Sequence, residues 1–336
     1  MITTGWTEIV RCSGCGGAYD IGDAELTCGQ CETQFPVVDG IPVLLDDTTT
    51  GTSLEEIDYD AVHGINERMI GNIGAQWRQI IEQLELEPEH ALEIGAGTGA
   101  LTLGLLGEKA VERLTATDIS HKFLRMLAAR AGADPTPVSL VACDANEPHF
   151  RSSTFDLVVG NSILHHLLDY DETLRQCHAV LKPGGAAVFF EPVLEGKTTV
   201  TLLLALVLRF EEITNGDRLS PADREQIRKQ IRHQMKSKLV PLDRQSLAQL
   251  EDKYIFEIDQ LTKEGSEAGF AEVEVINNGE VDPTYWPYLA RTFSVMGIGP
   301  EKIEAFKWIG EEFANTYGVM FPDKLVTPMV YFVFHK

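Results

Sequence analysis

Between His90 and Pro192, apolar segments of strand length alternate with segments of helical period, and this alternation constrains the fold of the 336-residue chain more than any other feature. "HALEIGAG", "RLTATDIS", "VSLVACDA", "FDLVVGNSIL" and "GAAVFFEP" read as strands, and "GALTLGLLGE", "HKFLRMLAARAG" and "DETLRQCHAVLK" as the helices between them. Strands joined through helices run parallel, so an α/β protein with a doubly wound, mostly parallel sheet is expected. In such sheets ligands bind beyond the carboxyl ends of the strands. Ile65, Met69, Ile73, Trp77, Ile80, Ile81 and Leu84 recur at three- and four-residue intervals and predict an amphipathic helix ahead of the first strand.

After Pro192 the alternation stops. Residues 193–257 read as helical, then the helix "EIDQLTKEGSEAGF" and the strand "AEVEVINN" resume the pattern over 258–336. A second helical insertion over 282–317 precedes the terminal strand "TPMVYFVFHK". Two helical insertions late in a regular sheet suggest a lid.

"LEIGAGTGA" places Gly95, Gly97 and Gly99 in the turn after the first strand, where missing side chains let backbone approach a ligand. Alone, the run also satisfies a dinucleotide-binding pattern, so a nicotinamide or flavin enzyme stays open at this point. Asp118 closes the second strand, where a carboxylate can accept both ribose hydroxyls, and Asp144 closes the third, where an acceptor can meet an adenine amino group.

"LEIGAGTGA", "ATDIS", "ACDANEPHF", "FDLVVGNSILHHL" and "LKPGGAAVFFE" stand in the order and spacing of class I S-adenosylmethionine-dependent methyltransferases, and the stretch 56–192 resembles that family, small-molecule members in particular. The resemblance implies a Rossmann-like fold with a seven-stranded sheet and S-adenosyl-L-methionine as cofactor. It implies that Glu93 and the glycine turn hold the methionine moiety, Asp118 and Ile119 the ribose, and Asp144 with Ala145 the adenine. Asn161 would face the cofactor, and Tyr59 and His63 would cover its methionine end. It also implies a small-molecule methyl acceptor.

His165 and His166 lie just past the fourth strand, where the transferred methyl is expected, and histidine titrates near neutrality. Either could act as base for a hydroxyl, thiol or protonated amine. His165 is preferred, because Asn161 and His165 are four residues apart and would share a helical face. Glu191, in "FFEP", is a third candidate for accepting a proton or binding an amine. Each also has a structural reading: pocket wall, loop packing, or a strand-end acid in solvent.

Cys12-x2-Cys15 and Cys28-x2-Cys31, twelve residues apart and flanked by Gly14, Gly16, Gly17 and Gly29, have the pattern of a four-thiolate zinc site. Four thiolates leave no open coordination position, so the zinc would be structural. Residues 1–46 resemble a Trm112-type zinc ribbon, with "DDTTTGTS" as the core of a linker over 47–55. The remaining cysteines, Cys143 and Cys177, read as buried packing residues, and six cysteines distributed this way argue for a reducing, cytoplasmic setting. A possible homodimer is left open.

The net charge of −23 opposes polyphosphate, which argues against nucleic acid and against the rival reading of an RNA methyltransferase that recognises RNA through its ribbon. One basic stretch, Arg218 to Arg244, holds eight Lys/Arg against three Asp/Glu. It reads as a solvated helix surface or, more sharply, as a face for an anionic acceptor. The longest apolar run, "VTLLLALVLRF", is well short of the roughly 20 residues that span a bilayer, so no membrane association is expected. The rival from another class is a non-catalytic protein that docks on another methyltransferase through the ribbon.

Overall fold

The computed structural model describes residues 5–22, 24–46, 55, 57–63, 65–132, 138–147, 149–239 and 243–336, without the side chains of 62, 63, 236–239 and 323. Except for Glu55, the expected linker lies outside the described residues.

Among the described residues eleven strands form one sheet: β1 (Tyr19–Ile21), β2 (Glu25–Cys28), β3 (Gln34–Val38), β4 (Ile41–Leu44), β5 (His90–Ile94), β6 (Arg113–Asp118), β7 (Val138–Cys143), β8 (Phe155–Asn161), β9 (Leu181–Pro192), β10 (Glu272–Asn277) and β11 (Met329–His335). Their order is β1-β2-β3-β4-β7-β6-β5-β8-β9-β11-β10. From β7 through β9 all pairings are parallel, and β11 pairs antiparallel with both β9 and β10. The seven strands from β7 to β10 are the expected doubly wound unit. Its strand order reverses between β5 and β8, which opens a crevice at their carboxyl ends.

The parallel strands are joined by α3 (Ala100–Gly107), α4 (His121–Ala131) and α5 (Tyr170–Val180), preceded by α1 (Tyr59–His63) and α2 (Glu67–Gln83). Trp77, Ile80 and Ile81 of α2 are buried, as their period predicts, and join Ala91, Leu105, Leu114 and Leu140 in the core on one face of the sheet. The opposite core contains Leu92, Phe155, Leu174, Phe189 and Phe332.

The cysteine-rich segment does not stand apart from this sheet. β4 runs parallel to β7, pairing Val43 with Ala142 and Leu44 with Cys143. Every residue of β7 is buried. Without β4 that strand would present a bare apolar edge, a template for aggregation. Trp6, Val10, Leu26 and Leu44 close over Val141 and Cys143 to form a shared core. Beside them, the Arg11 amide donates to the His149 carbonyl at 2.7 Å and the Arg151 amide to the Ile9 carbonyl at 2.8 Å.

After β9 come α6 (Leu194–Ile213), α7 (Pro221–Leu239), α8 (Arg244–Ala248) and α9 (Ile258–Glu267), and after β10 come α10 (Trp286–Val295), α11 (Pro300–Ile303) and α12 (Lys307–Phe313). The two insertions pack on each other through Leu203, Leu204, Val207, Leu289, Phe293 and Phe306. The basic stretch braces this unit and offers no free face of arginines. Arg218 and Arg224 pair with the fully buried Glu211, Arg228 with Glu212, Arg232 with Glu225, and Arg244 with Asp169. No helix among the described residues is long and apolar enough to cross a membrane.

Candidate active site

β5 ends at Ile94 and turns into α3 through three glycines with positive φ: 70° at Gly95, 53° at Gly97 and 97° at Gly99. A Cβ at Gly95 would lie 2.4 Å from Ile163, and one at Gly99 would lie 2.3 Å from Leu127, so both conformation and space demand glycine. The turn is braced from outside by residues the sequence motifs do not mark. The Thr98 hydroxyl donates to Asp60 at 2.7 Å, Arg130 donates to the Thr98 carbonyl at 3.0 Å, and Arg130 pairs with Asp60.

Asp118 closes β6 beside this turn. Its Oδ2 accepts the Gly97 amide at 2.7 Å and its Oδ1 the Ser120 amide at 2.8 Å, which leaves each oxygen a further acceptor site. Burial raises its pKa to about 6 against those two hydrogen bonds. Asp144 follows β7, its Oδ1 accepting the Asn146 amide at 2.9 Å. Asp118, Ile119, Asp144, Ala145, Gly95, Gly97, Tyr59 and Asn161 line one cleft of about 680 Å³. Tyr59 packs against Phe123 with ring centroids 5.0 Å apart. The side chain of His63 lies outside the described residues.

A second chamber of about 410 Å³ shares Tyr59, Gly95, Gly97, Asn161, Ser162, His166 and Glu251 with the first, so the two adjoin. Glu93 lies against it, buried, and Thr102 donates to its carboxylate at 2.5 Å. Burial lifts the Glu93 pKa to about 8. Asn161, at the end of β8, accepts the Trp77 indole N–H at 3.2 Å, a tether from α2 that the sequence pattern does not reveal.

Past Asn161 the chain does not continue as an α-helix. Ser162 adopts φ 58° and Leu164–His166 form a single 3-10 turn, so Asn161 and His165 do not share a helical face. Glu191 explains the turn. Fully buried, it accepts the Ile163 and Leu164 amides on Oε1 at 2.8 and 2.7 Å and faces His165 Nδ1 with Oε2 at 2.6 Å. It is therefore not a solvent-facing acid, and it lines neither chamber.

On its other side, His165 Nε2 lies 3.5 Å from Asp252 Oδ1. Burial opposes charge on this imidazole, but the Glu191 carboxylate and then Asp252 outweigh it and raise its pKa to about 9. The hydrogen bond with His165 in turn holds Asp252 down to about 2. Both ring nitrogens of His165 thus face carboxylates, which favours the charged ring and turns neither nitrogen toward a substrate proton, so the geometry does not support the preference for it as base. His166 behaves oppositely: burial and the neighbouring His165 charge lower its pKa. Its Nδ1, 3.0 Å from the Glu251 carbonyl, must carry the proton of the neutral ring, which leaves Nε2 as an acceptor.

The segment 251–254 also hydrogen-bonds by its backbone. The Lys253 and Tyr254 amides donate to the His165 carbonyl at 2.8 and 3.2 Å. The insertion over 193–257 and the His165–His166 turn are joined at this point.

At the far edge of the sheet the four thiols converge. Sγ separations are 3.6 Å for Cys12–Cys31, 3.4 Å for Cys15–Cys28 and 3.5 Å for Cys15–Cys31. Thiolates about 2.3 Å from a tetrahedral zinc lie about 3.8 Å apart, so a small contraction separates this cluster from a loaded site. Cys12 and Cys28 are buried and Cys15 and Cys31 exposed. A Cβ at Gly17 would come within 2.9 Å of Cys28 Sγ, so the knuckle needs glycine there.

Residues 92–189 match the model of a methyltransferase domain. Among curated proteins, the chain is 37% identical over 126 residues to the mitochondrial arginine-hydroxylase NDUFAF5 of Danio rerio, covering 38% of this chain and 37% of that protein. It is 32% identical over 133 residues to the malonyl-[acyl-carrier protein] O-methyltransferase of Geobacter sulfurreducens, covering 39% and 48%. The chain spans less than half the length of either relative. Among solved structures it is similar to phosphoethanolamine N-methyltransferase 2 of Haemonchus contortus bound to S-adenosyl-L-methionine, with 17% identity, a TM-score of 0.49, and coverage of 90% of this chain and 62% of that one. The match over residues 92–189, the sheet order, and the glycine turn with acids at the ends of the next two strands identify the core as a Rossmann-like class I methyltransferase fold.

Proposed function

We propose that this protein is an S-adenosylmethionine-dependent methyltransferase acting on a small metabolite. One observation carries the reading: Gly95, Gly97, Asp118, Asp144 and Asn161, from the ends of four adjacent strands, line a single cleft that opens into a second chamber beneath the lid. When bound, S-adenosylmethionine supplies an already activated methyl group.

The chain's task is then to place an acceptor in line and to exclude water. Asp118 offers its free acceptor sites to the ribose and Asp144 with Ala145 faces the adenine. The glycine turn and Glu93 hold the methionine end. For an acceptor that must lose a proton, neutral His166 is the base, its Nε2 free because Nδ1 is bound to the Glu251 carbonyl. Glu191 and His165 act as positioning residues that fix the turn carrying His166.

The second chamber is walled by side chains of α2 and the lid rather than by an open basic groove, which favours a metabolite over RNA. The four thiolates would hold a structural zinc, replacing the apolar core that so short a segment lacks. Calorimetry of the full chain with S-adenosylhomocysteine, followed by transfer of labelled methyl to small acceptors and to RNA, tests the reading. Binding together with labelling of a small molecule supports it; no binding of S-adenosylhomocysteine overturns it.

A further inference from the structure

The second chamber contains one lysine, and the described residues give its ammonium no ion pair. Lys197, the fourth residue of α6, lines the space together with Asn161, Ser162 and His165. No carboxylate among the described residues lies within ion-pair distance of its Nζ. Of the acids around it, Glu191 is bound to His165 and two backbone amides, Asp252 faces His165 and His166, and Glu93 is held by Thr102, while Glu251 also lines the chamber. Burial lowers the lysine's pKa, and Asp252 and Glu191 offset this only in part. A desolvated, unpaired ammonium is costly, and the adjacent helix N-terminus adds repulsion to it. An anion entering the chamber would pair with the ammonium and be drawn by the same helix N-terminus, offsetting both costs.

The remaining walls limit what that anion is attached to. Ile65, Met69, Ile73, Leu101 and Met329 give the chamber an apolar side. Asn161, Ser162 and His166 line both the chamber and the first cleft.

We propose that Lys197 is the specificity-determining anchor for the methyl acceptor, and that the acceptor is an amphipathic acid: an anionic carboxylate or phosphate at Lys197, an apolar body along α2, and the nucleophile beside Asn161 and His166. This rests on the methyltransferase reading of the same site. It also explains how a chain with net charge −23 would select an anion: one partly buried cation acts locally where the overall field repels.

The test uses the full chain saturated with S-adenosylhomocysteine and three probes measured by calorimetry: 4-hydroxyphenylacetate, its methyl ester, and phenyl phosphate. Wild type is expected to bind at least one of the two anions about tenfold or more tighter than the ester, the scale of a charge-assisted contact. The preferred anion distinguishes a carboxylate site from a phosphate site. Lys197→Met should abolish that preference while S-adenosylhomocysteine still binds, and Lys197→Arg should retain most of it. Equal binding of anions and ester by wild type, binding of none of the probes, or an undiminished preference in Lys197→Met overturns the proposal. If wild type fails to bind S-adenosylhomocysteine, the methyltransferase reading itself falls instead.

Discussion

Glu191→Gln separates the positioning role of the buried His165–Glu191 pair from every other titration in the protein. The amide keeps an oxygen for the Ile163 and Leu164 amides but turns an N–H₂ toward His165 Nδ1, replacing the 2.6 Å contact with two opposed donors. The His165 pKa, about 9 in the fold against an ordinary 6.5, corresponds to about 3 kcal/mol of preferential stabilisation of the charged ring. The sign follows from the direction of the shift. A group raised in the folded state contributes fully below pH 6.5, and the contribution is lost as pH rises through about 9. The variant lacks this contribution, so it should be less stable than wild type by roughly 3–5 kcal/mol at pH 6, the scale of breaking one side of a buried pair. The deficit should shrink as pH approaches 9. Glu93 and Asp118 titrate in the same direction, but they are present in both proteins and cancel in the difference. Urea unfolding of both proteins at pH 6, 7.5 and 9, with the His165 ring followed by NMR, makes the measurement. A deficit independent of pH, or a wild-type His165 that titrates at or below its ordinary value, would refute the reasoning.

Other expectations follow from the same geometry. Asp118→Ala removes the acceptor for the Gly97 amide and the proposed ribose contact, and should weaken S-adenosylhomocysteine binding by about tenfold or more; unchanged affinity in calorimetry removes Asp118 from that role. His166→Ala should lower kcat by ~10²-fold with S-adenosylhomocysteine affinity little changed, for an acceptor that must be deprotonated. A loss confined to KM would make His166 a wall of the pocket. Treatment with a metal chelator, or Cys15→Ser, should loosen β4 and thereby expose β7, seen as faster amide exchange over residues 138–143 as well as 25–44. Exchange confined to the cysteine segment would show that the edge pairing persists without the metal.

What the sequence by itself determined is local or periodic. The alternation of strand and helix, the Ile65-to-Leu84 stripe, the glycines of the turn and the acids at the ends of β6 and β7 all follow from backbone geometry and side-chain period, which act over a few residues. The paired cysteines likewise announce their cluster by spacing. Tertiary structure decided the rest, because it depends on partners far apart in the chain. Glu191 is 26 residues from His165, and Asp252 and Lys197 enter only when the lid folds over β8 and β9. Asn161 and His165 look like helical neighbours four residues apart, yet two buried amides drawn to Glu191 bend the chain between them. The basic stretch reads as a solvated helix surface or an anion-binding face, and only the fold shows its arginines paired with Glu211, Glu212, Glu225 and Asp169. The cysteine-rich segment reads as separate until β4 covers the apolar edge of β7. In each case a buried group had to find its complement, and burial is a property of the whole fold that local pattern does not encode.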